Sequence, residues 1–264
     1  MDVDELAAAP GKFRIYDIRW DLTDPDKGRT TYEAGHIPGA VFVDLDEDLS
    51  ADPDGGGRHP LPDIDEFAGT LGQLGVSPES HVVVYDDVAG RIAARLWWML
   101  RAIGHERAQV LDGGYQAWIA SGHDVGVGTV APKPTRPYPV PDGFEGVVTR
   151  ANLGDRALVD ARAEERYRGE TEPVDPKAGH IPGAINIPTS SNLTPEGRFL
   201  PAEELASIYV NLPSDTVVSC GSGVTACHDA LAMVIAGHEM PHVYVGSFSE
   251  WSRLDLPVAT GPNP

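Results

Sequence analysis

Residues 33–40 read EAGHIPGA and residues 177–184 read KAGHIPGA, two octamers that differ only at their first position. A repeat of this kind settles the architecture before any single residue is weighed. Its flanks match as well. Upstream, Ile15-Tyr16-Asp17-Ile18-Arg19 parallels Leu158-Val159-Asp160-Ala161-Arg162. Downstream, Leu111-Asp112-Gly113-Gly114-Tyr115-Gln116-Ala117-Trp118 parallels Tyr244-Val245-Gly246-Ser247-Phe248-Ser249-Glu250-Trp251. The blocks keep their order but not their spacing, so the chain is a duplicated domain whose copies differ in loop length.

Each half alternates strand and helix. Val82-Val83-Val84-Tyr85 and Thr216-Val217-Val218-Ser219 are short β-branched runs of the kind found in buried parallel strands. Helical stretches follow at residues 92–103 and 225–236. This alternation predicts an α/β fold, with a mainly parallel sheet flanked by helices on both faces of each domain. The expected organisation is one domain at 1–122, a second at 147–264, and a linker at 123–146 whose prolines and glycines make it extended and semi-rigid. Ligands of open parallel sheets bind beyond the carboxyl ends of the strands, which places residues 86–91 and 220–225 at two candidate pockets.

Composition narrows the function. Apolar residues make up 41% of the 264, enough for buried cores. With 40 acidic and 20 basic residues the net charge is −20, and no basic cluster offers a footprint for a phosphate backbone, so nucleic acid is not an expected partner. The start, MDVDELAAAP, lacks a basic region followed by an apolar core, and no apolar run is long enough to span a bilayer. No membrane association and a cytoplasmic location are therefore expected. Cys220 and Cys227 lie in one loop-plus-helix, a geometry that disfavours a bridge, and thiols stay free in a reducing compartment. Two thiols without nearby histidine pairs make a poor zinc site, so no metal is expected.

Chemistry concentrates in Val217-Val218-Ser219-Cys220-Gly221-Ser222-Gly223-Val224-Thr225-Ala226, which reads as strand, tight loop and helix start. Its glycines allow backbone conformations closed to other residues, so that several N–H groups can converge into an anion-binding nest, to which the helix adds its positive end. A nest at Cys220 favours the thiolate, the reactive form, and would equally stabilise a persulfide anion. The alternative for Cys220 is a small hydrophobe in the core, which suits Cys227, inside the helix, far better. A cysteine phosphatase loop would carry an arginine at position 226, where this chain has alanine. A papain-like site would read Cys-Gly-Ser-Cys-Trp, whereas Gly223-Val224 follow here. A sulfurtransferase needs a thiolate, a small nest and an acceptor path, and nothing on that list is missing.

The loop CGSGVTA, the twice-used GHIPGA and the GSFSEW near the end resemble the tandem rhodanese family, and the loop is most similar to its 3-mercaptopyruvate sulfurtransferase branch. The resemblance implies two tandem rhodanese-like domains, the first catalytically silent, with Asp86 standing where the second has its cysteine. It implies Cys220 as the sulfur carrier, with Ser222, His59 and either Asp44 or Asp46 as a Ser-His-Asp set assisting proton transfer. Which of Asp44 and Asp46 partners His59 stays open at this point. Arg166 is implied as the binder of the substrate carboxylate, with Gly221, Gly223, Val224 and Thr225 lining the anion nest. The branch has a second substrate arginine further on. Here that stretch reads Thr171-Glu172-Pro173-Val174-Asp175 and the arginine is missing, with Arg168 a candidate substitute. Arg91 and Arg95 are further cations to place, Arg95 as structural. His36, His180, Trp118 and Trp251 recur in both halves, the silent one included, and so belong to the scaffold.

The expected activity is covalent ping-pong transfer of a sulfane sulfur from 3-mercaptopyruvate or thiosulfate to a small thiol, cyanide or a thioredoxin-like protein, with no cofactor. A thiosulfate-preferring enzyme and a non-catalytic persulfide carrier or sensor are the competing readings. Gly221 and Ser222 are neutral where thiosulfate-preferring members carry basic residues, which points toward mercaptopyruvate.

Overall fold

A computed structural model describes residues 1–53 and 56–264. They form two compact units whose membership does not follow chain order: 1–51, 62–145 and 195–198 make the first, while 52–61, 146–194 and 199–264 make the second.

The first unit contains strands β1 (Arg14–Asp17), β2 (Val41–Phe42), β3 (Val82–Tyr85) and β4 (Ala108–Val110). Its helices are α1 (Val3–Ala8), α2 (Lys27–Ala34), α3 (Leu45–Asp48), α4 (Ile64–Leu74), α5 (Ala94–Ala102) and α6 (Gly114–Ala120). The strands form one parallel sheet in the order β2-β1-β3-β4. The second unit contains β5 (Val147–Val148), β6 (Leu158–Asp160), β7 (Ala184–Asn186), β8 (Val217–Ser219) and β9 (His242–Tyr244), with α7 (Glu164–Tyr167), α8 (Ala202–Tyr209), α9 (Ala226–Ile235) and α10 (Ser247–Trp251). Its parallel sheet runs β5-β9-β8-β6-β7. Removing β5 leaves the first sheet's order, so the duplication inferred from GHIPGA is a duplication of topology. Every residue of β3 and β8 is buried, which requires cover on both faces of each sheet. Where β5 flanks β9, the first unit has a one-residue counterpart: the Met1 nitrogen donates to Val110 O and Met1 O accepts from Asp112 N.

The repeated motifs do the same structural work twice. Arg19 makes a bidentate pair with Asp17 and donates to Gly35 O at 2.6 Å, and Arg162 pairs with Asp160 and donates to Gly179 O at 2.7 Å. His36 stacks on Tyr32 and bridges Gly126, and His180 stacks on Tyr167 and bridges Ala259. Trp118 Nε1 donates to Asp124 O and Trp251 Nε1 to Pro257 O, both at 2.8 Å. Residues 123–145, expected as a linker, belong to the first unit. Hydrogen bonds from Thr135 N to Gly72 O and Tyr138 N to Ala68 O tie them to α4, because an extended prolyl segment lying on a domain must still satisfy its amides. No helix among the described residues is long and apolar enough to cross a membrane.

Candidate active site

Cys220 directly follows β8, at the carboxyl end of a central strand. It is 1% exposed, yet polar groups surround it. Its N–H donates to Ser247 Oγ at 3.1 Å, its carbonyl accepts from Phe248 N at 3.0 Å, and its Sγ accepts from Gly223 N at 3.2 Å. The next carbonyl, Gly221 O, accepts from Ser249 N at 2.8 Å. The turn opening α10 thus grips both peptides and fixes the sulfur. Ser247 keeps a left-handed φ of +50° while wholly buried, its Oγ bonded to Tyr244 O. Gly223 has φ +77°, and a Cβ there would meet Val245 O at 2.5 Å. Gly223→Ala should therefore cost about 1–3 kcal/mol in backbone strain alone, with the clash added, and a lowered Tm would register it.

Among the described residues, only the Gly223 amide reaches the sulfur. Those of Val224 and Thr225, the other expected nest residues, bond to no acceptor among the described residues. The first unit shows what such a loop does with an anion. Asp86 O accepts from Tyr115 N as Cys220 O accepts from Phe248 N, so the two residues are equivalent in place. The Asp86 carboxylate receives the amides of Val88 and Gly90 on one oxygen and of Ile92 and Ala93 on the other, at 2.7–2.9 Å. Burial pushes the Asp86 carboxyl up and these four amides oppose it. The first loop is filled by its own side chain.

Ser222 and His59, distant in sequence, meet in the second unit, Oγ to Nδ1 at 2.7 Å, and both are buried. His59 rides on residues 56–61, which are anchored to the α10 turn: Arg58 N donates to Ser249 Oγ at 3.0 Å, Arg253 donates to Gly56 O, and Gly57 lies so close to Gly246 that a Cβ would reach its carbonyl at 2.9 Å. Asp44 lies in the first unit as the N-cap of α3, accepting from the Asp46 and Glu47 amides with Arg29 3.6 Å away. Asp46 accepts from Trp20 Nε1.

Arg166, at the end of α7, is part of an ion network. It donates to both Glu172 oxygens, at 2.7 and 3.2 Å, and to Asp175 Oδ2 at 3.1 Å. Arg162 donates to Glu172 Oε2 at 3.3 Å and lies 3.9 Å above the Phe248 ring. Arg58 bonds Asp175 Oδ1. Arg168 turns instead to Glu164 on α7 and to Glu170 just beyond it. Arg95 is fully buried, reaching Leu49 O at 3.5 Å, and the Arg91 Nε is buried in the same unit. Sequence reasoning missed Arg58, Glu172 and Asp175. Two carboxylates standing where a cation was sought were the available signal, since buried acids need cationic partners.

Burial alone would raise the Glu172 carboxyl, but the Arg166 hydrogen bonds and the Val174 and Asp175 amides outweigh it and hold Glu172 below the ordinary carboxylate range. Stability from such a group is complete above its unfolded value, near 4.5, and is lost as pH falls through the lower folded value. Acid unfolding should therefore lose part of its pH slope below about pH 4.5 in Glu172→Gln relative to the parent, as tryptophan fluorescence would record.

The family described as "Rhodanese-like domain" matches residues 2–121 and 147–254. A Pseudomonas aeruginosa protein named "Probable 3-mercaptopyruvate sulfurtransferase" is 45% identical over 261 residues, covering 94% of this chain and 92% of its own length. The rat "Thiosulfate sulfurtransferase" is 36% identical, covering 92% and 86%. Among solved structures, the "3-mercaptopyruvate sulfurtransferase from Leishmania major" superposes with a TM-score of 0.87 at 33% identity, covering 96% of this chain and 73% of that one.

Proposed function

This chain belongs to the rhodanese family and is a sulfurtransferase, and on that premise we propose that Cys220 carries the sulfur and that 3-mercaptopyruvate is its preferred donor. The Cys220 thiolate attacks the donor's sulfur. The S–S bond forms as the C–S bond breaks, and the electron pair leaves on carbon as the pyruvate enolate, which takes a proton to become pyruvate. The persulfide left on Cys220 then loses its outer sulfur to an acceptor nucleophile, which regenerates the thiolate. A small thiol, cyanide or a thioredoxin-like protein can fill that role. The first domain, its loop filled by Asp86, is silent.

The contact that carries the donor preference is Ser222 Oγ to His59 Nδ1 at 2.7 Å, two residues from the sulfur. Breaking a C–S bond requires a proton at carbon or oxygen, and a hydroxyl–imidazole pair can deliver one. Sulfite leaving thiosulfate requires none. Arg166 supplies hydrogen-bond donors for the donor's carboxylate. The test is kcat/KM for each donor with a common thiol acceptor. A ratio favouring 3-mercaptopyruvate supports the reading, and a ratio favouring thiosulfate rejects the donor assignment while leaving the persulfide chemistry intact.

A further inference from the structure

Gly221, next to the sulfur carrier, is flanked by two guanidinium groups. A Cβ on Gly221 would lie 2.8 Å from Nη2 of Arg58, and 3.8 and 4.0 Å from Nη1 and Nη2 of Arg166. Asp175, its side chain wholly buried, holds the two cations together, Oδ1 to Arg58 and Oδ2 to Arg166. In formal charge the cluster balances, with Arg58, Arg162 and Arg166 against Asp160, Glu172 and Asp175.

In hydrogen bonding it does not balance. Each guanidinium has five N–H groups. Both Asp175 oxygens and both Glu172 oxygens are already engaged, and Glu172 Oε1 accepts from Arg166, Val174 N and Asp175 N together. Among the described residues, the buried Arg58 Nε has no acceptor, and Nη2 of Arg58 and Nη1 of Arg166 donate to none. The surplus donors are therefore the ones beside Gly221, where a glycine leaves them open. Two guanidinium edges with N–H groups to give, clamped by the shared Asp175 carboxylate, suit a small carboxylate, which accepts a fork of two hydrogen bonds.

We propose that Arg58 is a second donor-binding arginine: with Arg166 it receives the carboxylate of the sulfur donor beside Gly221, and so selects anionic donors over uncharged thiols. This rests on Cys220 being the sulfur acceptor. Arg58 precedes His59, so one short segment would contribute both the anion contact and the proton relay. Asp175 fixes the guanidinium in position, compensating for the cation that residues 171–175 lack.

The test uses the full chain and two readouts: pyruvate affinity by calorimetry and steady-state kinetics with 3-mercaptopyruvate. Pyruvate has the donor's carboxylate without its sulfur, so it reports the anion site whether or not sulfur moves. Arg58→Gln should weaken pyruvate binding and raise KM by about 10- to 100-fold, with kcat changed less than about threefold. Arg58→Lys, which keeps the charge and the Asp175 pair but not the fork, should recover part of the loss. Pyruvate affinity within about twofold of the parent in folded Arg58→Gln overturns the proposal, as does a fall in kcat at unchanged KM, or a parent that binds no pyruvate. If Arg58→Gln does not fold, Arg58→Lys decides, and parental affinity in it overturns the proposal. Weakened pyruvate binding in a chain that transfers no sulfur would support the anion site and sink the sulfurtransferase reading instead.

Discussion

Cys220→Ser protein is expected to gain no mass on incubation with either 3-mercaptopyruvate or thiosulfate, while the parent gains one sulfur atom on the peptide carrying residue 220. Turnover should fall by at least about 10,000-fold, the scale on which removing a covalent nucleophile acts. A serine hydroxyl is not ionised at neutral pH and cannot hold a transferable sulfur, so the double displacement has no intermediate. Structure should survive, since Ser247 and Phe248 bond the backbone of residue 220 and not its side chain. Cys227→Ser is the control. Cys227 lies within α9, fully buried, with Sγ directed to Gly223 O at 3.4 Å, so its replacement should lower Tm and leave the adduct on Cys220. An adduct on Cys227, or turnover surviving Cys220→Ser, would reject the assignment.

The second large effect is expected at His59. His59→Ala should lower kcat/KM for 3-mercaptopyruvate by about 10²- to 10⁴-fold, the range for a lost general acid–base group. For thiosulfate the loss should stay below about tenfold, because sulfite leaves without needing a proton. The asymmetry is the informative part: a purely structural role for His59 would depress both donors alike. Ser222→Ala should show the same donor dependence, and the double variant should lose little more than the worse single one, since the two side chains act through one 2.7 Å contact. Equal losses with both donors would place His59 in the scaffold of the loop.

These effects depend on features that differ in how openly the sequence displays them. The duplication is legible because it is written twice in local chemistry. GHIPGA recurs since each copy needs a histidine stacked on a tyrosine, and Asp17-Ile18-Arg19 recurs as Asp160-Ala161-Arg162 since each needs an arginine tied to its own aspartate and to a glycine carbonyl. The strand runs at 82–85 and 216–219 are legible because wholly buried parallel strands favour apolar, β-branched residues, here Val82-Val83-Val84 and Val217-Val218. Cys220 is legible as a candidate nucleophile because a cysteine between a strand and a helix start, among glycines, has few other uses.

Less of the surrounding site could be read. The amide nest around the sulfur was expected as a ring, and one amide reaches it, because where each N–H points is set by the path of the loop against the α10 turn. Arg58, Glu172 and Asp175 carry no periodic signal, and Arg58 lies 117 positions from its partner Asp175. The Arg58–Asp175 pair exists because residues 52–61 belong to the second unit although the chain on either side belongs to the first.

The sequence by itself determined the doubled α/β scaffold and the place of Cys220 and Asp86 at the carboxyl ends of equivalent strands, since these rest on backbone propensity, burial pattern and short-range chemistry. Only the tertiary structure decided which cations stand beside Gly221 and which amide reaches the sulfur. Those choices depend on long-range closure of the chain, and side-chain charge alone does not say which of several arginines a fold will bring to a given carboxylate.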